Sequence, residues 1–411
     1  MGPIALFDKS FLQSLSTDES VWFDHFFYPV VAPVFYIETL ADLEKKPREG
    51  KSAEEEVGII AAKTPQMSGA PCFFHQSLVI QNLLGASVPM TGQIPVAGVR
   101  QVVRNGKLGA IIDEPPESVA FSRWQDGRFY DVERQHARAW RAQLERVDLK
   151  GIQDAMQRIG IRPQTCRTLQ DAKNLADGMV SMLTKSPGRF DLALALLDIP
   201  SRHHREIKDR WKHEKRPALG VFSPFAAHVL TVEVFFRVAL GANLIAATRA
   251  SNRADIAYLF YLPFCHLFVS SDRLHRITAP LFLRANQEFV WGNSLKSDLT
   301  QLDLHFKSLP EEQRTQGVFK LGARLPTESQ GKIRELLQRF TPNLLKPPIA
   351  TESIPNKTHE QLLRDMKEWQ SAPAVESPEN QPDKEWETMI ITRSVQRQRG
   401  SWLQINPDLK N

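Results

Sequence analysis

Cysteine is almost missing from this chain: 411 residues hold three, Cys72, Cys166 and Cys265, far apart and odd in number. That excludes a disulfide framework and points to a reducing, cytoplasmic setting. An excess of one charge is missing too. Lys and Arg number 52 against 47 Asp and Glu, a net +5, which permits a polyanionic partner without requiring one. The first residues have no basic stretch leading into an apolar run, so no signal peptide is expected. Only residues 224–247 resemble a membrane span, and they carry His228, Glu233 and Arg237. Charges at mid-bilayer are costly, and Glu233 and Arg237 have the i,i+4 spacing of a helical ion pair. A buried helix of a soluble core is therefore expected, with no membrane partner. Neither a G-x-x-x-x-G-K-[ST] loop nor a G-x-S-x-G elbow occurs, which argues against an ATPase or a serine hydrolase. Cys72-Phe-Phe-His75, His203-His204 and Cys265-His266 offer fragments of zinc-ligand spacing. Without a second close cysteine pair they make no zinc-finger pattern.

What is present is ordinary in bulk, 42% hydrophobic and 24% charged, and long enough for two domains or one domain with a large insertion. Residues 3–8 (PIALFD) read as a short buried strand ending in Asp8, and residues 265–272 (CHLFVSSD) as another ending in Asp272. A helix led by Pro33, a residue suited to a first helical turn, carries Glu38 and Asp42 four apart on one face. From residue 45 to about 191 the composition changes. Asn105-Gly106 between apolar runs predicts a hairpin with a primed turn. An arginine-rich helix spans 131–147 (Arg134, Arg138, Arg141, Arg146), and Thr168 with Asp171 has capping-box spacing. Helices are expected over 190–199, over 202–216 capped by Ser201, over 255–262 stopped by Pro263, and near 294–307 and 328–340. After residue 345 the chain is polar, with one helix over 358–370. These readings give an α/β fold with a discontinuous core (1–44 and 190–344), an insertion of hairpin and helices (45–189) and a flexible polar tail (345–411).

Four acids, Asp8, Glu38, Asp255 and Asp272, stand where elements begin or end against apolar sequence. Each has a purely structural reading. Asp8 suits a helix cap, Glu38 a solvated helix face, Asp255 the third position of a helix capped by Asn252, and Asp272 a turn. Jointly they suggest an oxygen-rich site at the carboxyl edge of a parallel sheet, where open α/β sheets bind ligands. Mg²⁺ and Mn²⁺ take such ligands, and Mg²⁺ keeps several waters. Ser10, Ser270 and Ser271 are placed to hold the carboxylates or waters in position.

The joint pattern resembles the PIN-like nuclease family. Leu6-Phe7-Asp8-Lys9-Ser10 matches a first strand ending in Asp with a Ser two residues on. Val31-Ala-Pro33 through Ile37-Glu38 matches a Pro-led helix carrying Glu. Asp255-Ile-Ala-Tyr258 before Leu267-Phe-Val-Ser270-Ser-Asp272 matches a late Asp followed by a strand ending in Ser-x-Asp. The likeness covers about residues 1–44 and 220–290, with an unusually long separation between Glu38 and Asp255. It implies a three-layer α/β/α core, a Mg²⁺ or Mn²⁺ cofactor held by Asp8, Glu38, Asp255 and Asp272, and cleavage of RNA, less often DNA. Asp42 is a weaker candidate as an extra ligand.

Nucleic-acid contact is expected from the basic segment 202–216, through Arg202, Arg205, Lys208, Arg210 and Lys212, with Trp211 free to stack on a base or to pack on the core. Toxin, defence and RNA-processing roles all fit, as does a homo-oligomer. The reading is a metal-dependent endonuclease, with RNA as the expected substrate. The alternative is a noncatalytic adaptor on a degenerate nuclease core that binds RNA or protein.

Overall fold

The computed structural model describes residues 2–46, 50–96, 99–346, 359–374 and 388–405. In chain order the strands that matter are β1 (Ile4–Phe7), β2 (Tyr28–Val31), β3 (Ala70–Pro71), β4 (Val99–Arg104), β5 (Lys107–Ile112), β6 (Leu267–Ser270), β7 (Glu288–Trp291) and β8 (Thr388–Ile391). Five of them form one parallel sheet in the order β3-β2-β1-β6-β7. Its central strands are apolar on both faces: Ala5, Leu6, Phe7, Leu267, Phe268 and Val269 are all fully buried. Such strands are continuous hydrophobic runs because helices cover both sides of a parallel sheet.

The chain steps outward from β1 to β2 through α1 (Lys9–Ser14) and α2 (Thr17–Phe26), then to β3 through α3 (Pro33–Leu40) and α4 (Ala53–Lys63). It returns to the other side of β1 with β6, then reaches β7 through α15 (Arg273–Thr278), with α16 (Gly292–Lys307) following. Between β3 and β6 run α5 (His75–Leu84), the β4–β5 hairpin, α6 (Pro116–Gln125), α7 (Asp131–Glu145), α8 (Leu149–Arg158), α9 (Leu169–Met182), α10 (Pro187–Leu196), α11 (Ser201–His213), α12 (Leu219–Phe222), α13 (Pro224–Gly241) and α14 (Asn252–Ala257). The order of strands reverses between β1 and β6. In open α/β sheets that reversal opens a crevice beyond the carboxyl ends of the two strands.

Several local expectations hold for visible reasons. Pro33 opens α3. Asn105 and Gly106 both have positive φ, 51° and 76°, as a primed two-residue turn requires. Thr168 and Asp171 cap α9 reciprocally. Others do not hold. The block 45–189 is not wholly an insertion, because α4 and β3 lie within it and β3 pairs with β2. A helix over 255–262 gives way at Tyr258 to a 3-10 turn, Tyr258–Phe264, that accommodates Pro263. Asn252 lies inside α14 and donates to Ala246 O rather than capping. Ser201 is already within α11. Glu233 pairs with Arg253 at 2.5 Å, not with Arg237, because the first turn of α14 delivers that guanidinium to it. Among the described residues α13 is the one helix long and apolar enough to cross a membrane, and most of it is buried in the fold.

The tail is only partly as expected. Residues 347–358, 375–387 and 406–411 lie outside the described residues, but the helix His359–Gln370 and residues 388–405 are docked rather than loose. β8 adds to β5 in parallel, and Trp369 packs with Val102, Ile111 and Ile390. Gly109 makes that possible, since a Cβ there would lie 2.6 Å from the Trp369 ring. Further on, Arg399 and Trp402 are buried against α2 and α16: Arg399 meets Asp24 at 3.3 Å, and Trp402 Nε1 donates to Asp303.

Candidate functional site

The β1–β6 register pairs Ala5 with Leu267, Leu6 with Phe268 and Phe7 with Val269. Asp8 therefore emerges beside Ser270 at the reversal point of the sheet. Asp8 caps α1, its Oδ1 accepting from Phe11 N–H at 2.9 Å. Its Oδ2 accepts from Ser10 Oγ at 2.7 Å and Ser270 Oγ at 2.8 Å. Ser271 N–H donates to Ser10 Oγ at 3.2 Å, stitching the two strand ends together. Asp272 caps α15, with Oδ1 accepting from Leu274 N–H at 2.6 Å, and its own N–H donates to Ser270 Oγ. The capping readings of Asp8 and Asp272 thus coexist with their place in the cluster.

Glu38 comes from α3 and accepts from the Tyr258 hydroxyl at 2.6 Å. Lys9 donates to Glu38 O at 3.0 Å and to Asp42 at 2.5 Å, and Arg141 reaches Asp42 at 3.4 Å. Asp42, the fifth acid considered, is consequently held by two cations. Asp255 comes from α14. Its carboxylate takes no hydrogen bond among the described residues.

The sequence offered no signal for His275. It lies in the polar-looking run Arg273–Thr278, yet it is fully buried. Its Nε2 donates to Asp255 O at 2.7 Å, while Nδ1 lies 2.8 Å from Ser270 Oγ and 3.3 Å from Asp8 Oδ2. Burial opposes its charge, but the hydrogen bond and charge of Asp8, with the charge of Asp255, push it up to about 9. It is thus an imidazolium at neutral pH, donating from both nitrogens. Tyr258 was also missed, hidden in the apolar run 258–264.

Electrostatics show that the four acids share one neighbourhood. Burial, then the charges of Glu38, Asp272 and Asp8, push Asp255 up to about 7 against the opposing pull of His275. Glu38 is raised by burial and by Asp8, and drawn back by Tyr258, Lys9 and His275. Burial works against Asp8 as well, but His275, Ser10 and the Phe11 N–H hold it below the usual carboxylate range. Charges that raise one another's pKa in this way repel, and a cation relieves the repulsion.

Oxygen donors remain for such a cation. Glu38 Oε1, the Asp255 carboxylate and Asp272 Oδ2 accept nothing from the described residues, and Ser271 Oγ is buried with no protein partner. Asp8 is different, because both of its oxygens are engaged. Among the described residues, no three His, Cys, Asp or Glu side chains converge closely enough to hold an ion by themselves. The unbonded donors are all oxygen, the ligand type that hard divalent cations take.

The basic segment is less available than its sequence suggests. Trp211 is buried and stacked on Phe190 at 4.4 Å, with Nε1 donating to Pro217 O. It cannot stack on a base, because α11 needs its ring to seal against the core. Arg210 is spent on the carbonyls of Asn82, Leu83 and Phe222, at the ends of α5 and α12, and on Glu214. Lys208 pairs with Asp191 and Lys212 with Asp209. Among the described residues Arg202 bonds its neighbour His203, and Arg205, almost wholly exposed, lies 3.9 Å from Asp209 in a surface pair that solvent screens. Those two are the least engaged cations of the segment. Of the zinc fragments, Cys72 is buried and His75 bonds the Tyr261 hydroxyl.

Set against models of protein families, curated proteins and solved structures, the chain finds no match in any of the three.

Proposed function

We propose that this chain is a divalent-metal-dependent endonuclease on a PIN-like, three-layer α/β/α core, cutting RNA in preference to DNA. The observation that carries the reading is the adjacency of β1 and β6. It brings Asp8 and Asp272 together at the reversal point of a parallel sheet, and the charges of Glu38, Asp272 and Asp8 that act on Asp255 support counting Glu38 and Asp255 in the same site.

Bound Mg²⁺ or Mn²⁺ would supply Lewis-acid charge and a more acidic water, and one or two of Glu38, Asp255 and Asp272, each with an oxygen left unbonded, would hold it beside waters and a substrate phosphate. The remaining residues position. Ser10 and Ser270 fix Asp8. His275 ties Asp8 to the backbone of Asp255. Tyr258 orients Glu38. Burial first, then Glu38, Asp272 and Asp8, raises Asp255 to about 7, so a cation held there would favour its charged form.

The test is cleavage of a single-stranded RNA with Mg²⁺ or Mn²⁺ by the full chain and by Asp272→Asn and Asp255→Asn. Loss of cleavage in both variants, with unchanged thermal unfolding, supports the site. Full activity in either removes it. Asp8→Asn is a poorer choice, since it also removes the partner of a buried imidazolium.

One observation favours the second reading, a noncatalytic adaptor that binds RNA or protein. The oxygens of Asp8 are saturated by protein donors, His275 among them. That reading predicts no cleavage with any divalent ion.

A further inference from the structure

α3 walls a second space besides the acidic crevice. Tyr36 and Ile37, the residues just before Glu38, line a cavity of about 740 Å³, well within the range of small-ligand sites. Three distant parts of the chain close it: the carboxyl ends of β2 and β3 at Val31 and Pro71, the start of α6 after the hairpin, and the strap after β8. The last of these is unusual. Residues that lie more than 300 positions apart meet here, where Arg393 of the strap donates to Gly69 O.

The chemistry of the walls narrows the ligand. Tyr36, Phe73, Phe74 and Phe121 offer flat aromatic surface, and Phe74 is 45% exposed. Aromatic faces of this kind stack bases without regard to sequence. The charges are mainly acidic: Asp113, Glu114 and Glu117 line the cavity against one cation, Arg393, which donates from one nitrogen to Gly69 O. Asp113 pairs loosely with Arg100, and Glu114 accepts from Ser394 Oγ. The Glu117 carboxylate has no hydrogen-bond partner among the described residues. A phosphate inside would meet repulsion. A flat neutral ring with N–H donors would meet stacking and an open acceptor, which is how Asp and Glu read the exocyclic amine of cytosine.

We propose that this cavity binds a nucleobase carrying an exocyclic amine. Resting on the nuclease reading, the base belongs to the same strand whose phosphate lies at the acidic crevice, with the thickness of one helix, about 10 Å, between them. The cavity then selects which bond is presented, while the acids cut it.

The experiment uses the full chain in EDTA, where cleavage is absent, and measures binding of cytidine and uridine by equilibrium dialysis. Saturable cytidine binding, about tenfold tighter than uridine, is expected. Glu117→Gln should erase that preference, and Ser77→Phe, which fills the cavity, should abolish binding of both. Asp272→Asn should bind cytidine like the parent chain. Absence of saturable binding, or binding that neither cavity substitution changes, overturns the proposal. Should Ser77→Phe fail to fold, Glu117→Gln still decides, being isosteric and partly exposed. Cytidine binding without any metal-dependent cleavage would sink only the nuclease reading, and cleavage without cytidine binding only this one.

Discussion

Asp8 Oδ2 and His275 Nδ1 lie 3.3 Å apart with both side chains almost completely buried. This is an internal ion pair at the heart of an acidic cluster, and its cation comes from the chain itself. Removing one partner of a buried pair leaves the other charge uncompensated, which costs far more than the pair contributes. His275→Ala is therefore expected to lose about 3–5 kcal/mol of unfolding free energy, read as a lower urea midpoint at unchanged slope. A loss below about 1 kcal/mol would show that Asp8 needs no internal cation.

Acid should act through a different histidine. The His228 ring lies near Phe225 and Phe282, with Nε2 2.9 Å from Leu259 O. Burial pushes its pKa down to about 4, with Lys173 and Arg284 adding to the fall and the Leu259 carbonyl resisting it. The unfolded chain takes up that proton near 6.5, so between about 6.5 and 4 the unfolded state binds more protons. Stability rises with pH through this window and is lost as pH falls through it. The parent chain should lose roughly 2–3 kcal/mol from this group between pH 7 and pH 4. In His228→Gln that part of the slope should vanish, as denaturation midpoints at a series of pH values would show.

How much of this was legible depended on length and on context. Asp8, Asp272 and the Asn105-Gly106 turn stand at boundaries between apolar and polar sequence, where local chemistry and tertiary role agree. β2 and β3 were invisible because four- and two-residue strands, one containing Pro29 and the other Pro71, are too short to show a period. β7 was missed for the same reason of length. His275 and Arg399 lie among charged and polar neighbours, and nothing in such a stretch tells which side chain the fold will bury. Trp211 misled in the opposite sense: its cationic neighbours suggested a surface, while its own apolar area placed it in the core.

That reversal separates two roles of α11. Trp211→Ala should cost about 3–5 kcal/mol of stability, because its ring fills the space between Phe190 and the 216–222 turn. Trp211→Phe should leave RNA affinity unchanged. Arg202→Ala with Arg205→Ala should leave stability intact. If both contact phosphate, the slope of log affinity against log salt falls by about 1.4, at roughly 0.7 per phosphate on a single strand. An unchanged slope in filter binding would take α11 out of the interface.

The C-terminal strap makes the sharpest structural prediction, because its anchor is one fully buried ion pair. Asp24 on α2 and Arg399 are both fully enclosed and meet at 3.3 Å. The same carboxylate accepts from the backbone N–H groups of Gln66, Met67 and Ser68, the loop that leads into β3. The same guanidinium donates to Thr64 O and Ser20 O. One buried contact thereby joins α2, the edge of the sheet and the end of the chain. Lysine cannot reproduce it, since its single ammonium lacks the planar fork that reaches several carbonyls at once. Arg399→Lys is expected to lose about as much as Arg399→Ala, roughly 3 kcal/mol or more. Both should expose residues 388–405 to limited proteolysis while the central sheet stays intact. If Arg399→Lys keeps the parent's denaturation midpoint and protease resistance, the strap is held by Trp402 and β8 instead of by its charge.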